Sequence, residues 1–210
     1  MRLPQHLSRI GQIRRPTEDD PWRILMSGCL FGHPCGVDGD NYGLPAHQPR
    51  WLPSPKVQLI PFCPEDVGMG TPRTMPDLHG GDGFDVLDGR ARILDEHRRD
   101  LTEAMLRGAH AMLARAQAMD VDFALLTDRS AACGSQVVST GCRFEEPVQH
   151  RRGVGVATAL LLRHGFAVVS QRDYRSLEYL GQRLDPNFEV NPAALDHHES
   201  PWVVANLPLD

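Results

Sequence analysis

Lysine is almost absent from this sequence. Lys56 is the only one in 210 residues, so arginine carries nearly all the positive charge. A catalytic lysine is thereby excluded almost everywhere. Long apolar runs are also missing, and no stretch suffices to span a bilayer. The opening MRLPQHLSRIGQIRRPTEDDP lacks the apolar core of a secretory signal. It reads as a flexible, polar N-terminal arm over residues 1–21. Net charge is −5, with no basic footprint for nucleic acid or an anionic membrane. Internal repeats and low-complexity blocks are lacking. The expectation is a cytoplasmic protein with no membrane partner and no strong nucleic-acid signal. Its oligomeric state is not legible.

Five cysteines are present, an odd number that fits a closed disulfide framework poorly. In a reducing compartment they are ligands, nucleophiles or core residues. Paired Cys-x-x-Cys zinc knuckles and ferredoxin spacing are both missing. So is a phosphate loop, because no Gly-Lys-Ser/Thr follows Gly80-Gly81-Asp82-Gly83.

Short apolar runs predict strands over residues 23–27, 57–62, 123–127 and 166–170. Helical spacing of Leu101, Met105, Ala109, Met112, Ala116 and Met119 predicts a helix over 101–119, capped by Asp100 with Glu103 replying. Its methionines read as a packed core face. A second helix is predicted over 154–164, ending at Gly165, and another over 174–184. Residues 68–83 read as loop, and 86–94 as a small hairpin around Asp88-Gly89. Alternating strands and helices favour an α/β fold, Rossmann-like, with a mostly parallel sheet and helices on both faces. The domain is expected over residues 22–172, with a C-terminal extension over 173–210 to which no role is assigned.

The positions of the cysteines are informative. Cys29 lies two residues beyond the first strand, Cys63 directly after the second, and Cys133 beyond the third. Cys35 sits in the loop that Cys29 opens. In open α/β sheets, ligands bind outside the carboxyl ends of the strands. Thiolates select zinc, copper(I) or iron–sulfur clusters. Taken singly, each cysteine is as well explained as a small buried residue. Taken together, Cys29, Cys35, Cys63 and Cys133 are candidates for one metal site, and Cys142 reads as incidental. Pro64 can start a helix after Cys63, a setting that favours the thiolate. Glu65 and Ser130 stand close by in sequence. A carboxyl and a hydroxyl beside a metal can move protons, or they can simply be a first-turn acid and a cap. Gly153-Val154-Gly155 could present N–H groups to an anion. His33 reads as a solvated loop residue, and His197-His198 as surface.

Several motifs, in order, resemble the thiouracil desulfidase family: ILMSGCLFGHPCGVDG, IPFCPEDVGMGTPR, GGDGFDVLDGRARI with DLTEAMLRGAHAMLARAQ, SAACG, and GVGVATALLLRHGFAVVS. They span roughly residues 23–170. The resemblance implies a Rossmann-like domain with a 4Fe-4S cluster, three cysteine ligands and one open iron. It implies a desulfidase that removes sulfur from a small thiolated nucleobase or nucleoside without net redox change. The open iron would act as a Lewis acid on the thiocarbonyl while water attacks the ring carbon. Carried over by motif, Cys29, Cys35 and Cys133 come first as cofactor ligands. Cys63 is then the fourth thiol, catalytic or structural, and Glu65 and Ser130 match the proton-transfer positions. The sequence departs from the family pattern at Ala131-Ala132 (for Pro-Ser), Thr127 (often Lys) and Gly36-Val37 (for Arg-Tyr). These departures bear on the pocket lining. From another class, the same cysteines could serve a non-catalytic metal-binding or redox-sensing protein, or a zinc-stabilised binding domain.

Overall fold

The computed structural model describes residues 9–207. In chain order the strands are β1 (Trp22–Ser27), β2 (Val57–Phe62), β3 (Asp77–His79), β4 (Arg92–Leu94), β5 (Phe123–Leu126), β6 (Val137–Thr140), β7 (Gln149–Arg152) and β8 (Ala167–Ser170). The helices that matter below are α1 (Gly28–Phe31), α2 (Pro64–Met69), α3 (Gly83–Leu87), α4 (Thr102–Ala118), α5 (Val156–Arg163), α6 (Tyr174–Leu184) and α7 (Pro201–Asn206).

The apolar strands pair into one parallel sheet in the order β2-β1-β5-β8. Strands covered on both faces read as continuous apolar runs, which is why the sequence shows them clearly. Alternate residues point to opposite faces. Leu25, Ala124, Leu126 and Val168 face a core closed by α4 and α5. Trp22, Ile24, Met26, Phe123 and Leu125 face a second core, closed by Trp51, Leu52 and α6. The expected Rossmann-like α/β architecture, with helices on both faces, is therefore present. Ile10 and Ile13 are buried in the second core, and Arg14 grips Asp122 at 2.6 and 2.9 Å. That part of the N-terminal segment packs against the sheet; residues 1–8 lie outside the described residues.

A second, mixed sheet, β4-β3-β6-β7, is absent from the sequence reading. The β3–β4 and β6–β7 pairs are antiparallel and β3–β6 is parallel. The expected hairpin over residues 86–94 is incorrect, because Val86 belongs to α3 and only Arg92–Leu94 is strand. Asp82 decides this. Its side chain accepts the N–H groups of Phe84 and Asp85, while the Asp85 carboxylate answers the Asp82 N–H, so a helix starts. Asp88-Gly89 then ends that helix. The expected loop over 68–83 likewise contains β3, whose single leucine gives no visible period.

The long helix forms where expected. Asp100 accepts the Thr102 N–H at 2.9 Å, and Leu101 takes the cap position. α4 packs closely on α2, the helix that begins after Cys63. A Cβ at Gly108 would stand 1.8 Å from the Pro64 carbonyl oxygen, and one at Gly68 would stand 2.2 Å from that of Ala104. Both obstacles are backbone. Gly108→Ala should therefore lower stability by about 1–3 kcal/mol through overpacking, despite alanine's better helix propensity. Urea unfolding measures this. An unchanged midpoint would contradict the close crossing.

Candidate functional site

Cys29 occupies the first turn of α1, immediately beyond β1. Cys63 is the N-cap of α2, immediately beyond β2, and its Sγ accepts the Asp66 N–H at 3.4 Å. Cys133 lies in the turn between β5 and β6. Cys35 folds back from the loop after α1, and its carbonyl lies 3.8 Å from Cys63 Sγ. All four thiols line one cavity of about 630 Å³ at the carboxyl end of the parallel sheet. Cys142 is not among its lining residues. Gly28 allows the approach: a Cβ there would meet Cys35 Sγ at 3.2 Å and Cys63 Cβ at 3.3 Å.

The electrostatics differ from thiol to thiol. The Cys35 hydrogen bond brings Cys29 down to about 7, against the opposing effect of burial. Thr127 Oγ1, 3.3 Å from Cys29 Sγ, adds to this. Cys35 moves the other way, raised first by its hydrogen bond with Cys29, then by Cys63 and burial. Burial pushes the Cys133 thiol well up, and Cys63 adds to it.

Glu65 and Ser130 meet in the same cavity. Ser130 Oγ donates to Glu65 Oε1 at 2.9 Å. The hydroxyl also accepts the N–H groups of Ala132 and Cys133, at 3.1 and 3.0 Å. One side chain thus ties the Cys133 turn to the carboxylate. Glu65 Oε2 accepts Arg73 Nη2 at 2.8 Å, and Arg73 also holds the Cys35 carbonyl at 2.9 Å. Burial works against the Arg73 charge, and Glu65 together with Cys63 and Cys35 more than offsets it. Sequence reasoning missed Arg73. It stands inside the quoted second motif, but no spacing assigns it a partner.

Asp128, at the cavity wall, was also missed. Burial works to raise its carboxyl, yet His197 and backbone N–H groups hold it below the ordinary carboxylate range. His197 Nδ1 contacts Asp128 Oδ2 directly. The surface reading of His197-His198 is therefore incorrect: both are buried, His197 against Asp128, while the His198 N–H bonds to Gln136. His33 is exposed, as expected. The glycine runs lie outside the cavity lining. Gly83 and Gly155 instead let α3 and α5 touch, since a Cβ on Gly83 would stand 2.2 Å from the Gly155 oxygen. Gly36 has a different reason. The Tyr42 ring and the Asp40 carbonyl come within 2.5 Å of where its Cβ would be.

A family model described as 2-thiouracil desulfurase matches residues 24–173. The chain belongs to that family. The match opens in β1 and ends three residues after β8, so it contains all four cavity cysteines, Glu65, Arg73 and Ser130. This desulfurase-family chain is 32% identical over 155 residues to the uncharacterized protein YbbK of Bacillus subtilis (strain 168), covering 73% of this chain and 99% of that protein. A solved structure titled [4Fe-4S]-dependent thiouracil desulfidase TudS superposes with a TM-score of 0.62 at 32% identity, covering 75% of this chain and 96% of that one. Family membership makes this an enzyme of the desulfurase class.

The residues present fit an iron–sulfur cluster. The donors are soft thiols gathered on one cavity, with glycine rather than a side chain beneath them. Among the described residues, no three His, Cys, Asp or Glu side chains converge to hold a single metal ion. Among the described residues, no helix is long and apolar enough to cross a membrane.

Proposed function

We propose that the protein is a [4Fe-4S]-dependent desulfidase that replaces the sulfur of a thiolated pyrimidine base or nucleoside with oxygen, releasing sulfide. The observation that carries this reading is the meeting of four thiols with a Glu65–Ser130 hydrogen bond on one cavity. The likeness to TudS supports it. Three of Cys29, Cys35, Cys63 and Cys133 hold the cluster, and the fourth thiol lines the cavity beside it. In the order of preference as ligands carried over from the family resemblance, Cys63 comes last, after Cys29, Cys35 and Cys133. Its place at a helix start, accepting an N–H, gives it as strong a structural claim as Cys35. The five unpaired cysteines suit a reducing cytoplasm.

When bound, the cluster would supply a Lewis-acidic iron for the sulfur of the substrate. The chain's own residues supply the rest. About 630 Å³ accommodates a small heterocycle and a water. Glu65 Oε1 takes a proton from the attacking water through Ser130 Oγ. Arg73 keeps the carboxylate turned toward Ser130. In balance, a C–O bond forms, the C–S bond breaks, and the two water protons leave with the sulfur as hydrogen sulfide.

Anaerobically purified protein incubated with 2-thiouracil should release sulfide and form uracil in equal amounts. Cluster-replete protein that leaves every thiopyrimidine unchanged would refute the substrate claim. The non-catalytic sensor reading would then stand, because it requires metal binding without turnover.

A further inference from the structure

The family match ends at residue 173, yet the chain continues to residue 210. The alignment with the protein YbbK covers 155 residues, 73% of this chain and 99% of that protein. The described part of the extension reaches back to the site. After α6 the chain crosses to a 3₁₀ turn, His197–Glu199, and then to α7. Both contact the segment between β5 and β6, which carries Ser130 and Cys133.

Asp128 organises that segment. Its Oδ1 accepts the N–H groups of Arg129 and Ser135 at 3.0 and 2.9 Å, and those of Gln136 and Val137 at 3.3 Å. One oxygen thus pins both ends of the turn that encloses Ser130 and Cys133. The other oxygen takes His197 Nδ1. Asp128 and His197 are each only 5% exposed. A buried carboxylate oxygen that loses its donor incurs the full desolvation cost, so the turn would relax to find another partner. The extension grips the segment at two further points. The His198 N–H donates to Gln136 Oε1 at 3.0 Å. The Trp202 ring lies 4.7 Å from the Arg129 guanidinium carbon. Arg129 lines the cavity with φ +63°, a backbone state that benefits from being held.

We propose that the C-terminal extension is part of the active site, with His197 a positioning residue that fixes the Ser130–Cys133 turn through Asp128. The proposal rests on the desulfidase reading only in naming Ser130 and Cys133 as site residues.

The test uses the full-length, anaerobically purified protein and three variants. His197→Leu removes the donor. His197→Asn keeps one close to the position of Nδ1. Trp202→Ala removes an exposed ring. In His197→Leu, the amides of Ser135, Gln136 and Val137 should exchange about tenfold faster or more, with the β1 amides unchanged. Its kcat for sulfide release should fall about tenfold or more with KM nearly constant. His197→Asn should restore most of both. Exchange in residues 128–137 that does not outpace β1, or Asn and Leu variants that behave alike, would overturn the proposal. Should the leucine variant not fold, Trp202→Ala decides. Faster exchange at the same amides supports the proposal, and unchanged exchange overturns it. In the wild-type protein, protected amides without sulfide release would count against the substrate reading and not against His197.

Discussion

Glu65→Gln should lower kcat for sulfide release from 2-thiouracil by about 10²–10⁴-fold while leaving iron content at the wild-type level. Glutamine has the size of glutamate. Its carbonyl can still accept Arg73, and its amide can still meet Ser130, so the packing around α2 survives. Proton capacity is what it lacks. Glu65 is the only carboxylate hydrogen-bonded to Ser130 among the described residues, so no neighbour stands ready to replace it. Ser130→Ala removes the relay hydroxyl and also leaves the Ala132 and Cys133 N–H groups without their acceptor. It should therefore lower both kcat and cluster retention. This contrast separates the two proposed roles: Glu65 for the proton alone, and Ser130 for the proton and the Cys133 turn. A glutamine variant with kcat within a few-fold of wild type would remove Glu65 from the chemistry.

The second large effect concerns the thiols. Serine in place of a ligand cysteine offers a hard oxygen where the cluster needs a soft thiolate. Three of the four variants Cys29→Ser, Cys35→Ser, Cys63→Ser and Cys133→Ser should lose the cluster's iron and visible absorbance together, and sulfide release should fall to background. The fourth should keep its iron. Cys142→Ser is the control, because Cys142 lies outside the cavity lining, and it should match wild type in both measurements. Two or more of the four cavity variants retaining full iron would contradict a cluster with three cysteine ligands. The same set of variants also settles the place of Cys63. Retained iron with reduced turnover in Cys63→Ser would mark it as the thiol beside the cluster. Lost iron would make it a ligand and leave one of Cys29, Cys35 and Cys133 as the thiol beside the cluster.

Much of this arrangement was legible in the sequence because parallel strands buried on both faces write themselves as apolar runs. β1, β5 and β8 are of that kind, whereas the edge strand β2 is only half-buried, and fold logic then brings the residues after the strands to one rim. Cys29, Cys63 and Cys133 meet there for that reason, despite separations of up to about a hundred positions. The second sheet left no such trace. β3 offers a single leucine, and β7 reads Gln-His-Arg-Arg. β3 is set by pairing with β4 and the distant β6, and β7 by pairing with β6, while the Asp82 cap turned an expected hairpin into a helix. His197 and Arg73 were illegible for a different reason. Each is a polar residue drawn to the site by one charged partner, Asp128 for the histidine and Glu65 for the arginine. Periodicity carries no information about such pairs. A histidine doublet in a polar tail looks like surface until the carboxylate it covers is in view.

Metal and acid-labile sulfide analysis of the wild-type protein, purified without oxygen, addresses the central claim most directly. A rim of thiols that holds a cubane should yield iron and labile sulfide in equal amounts, with little zinc. Zinc alone, at one per chain, with neither iron nor labile sulfide after anaerobic reconstitution, would contradict it.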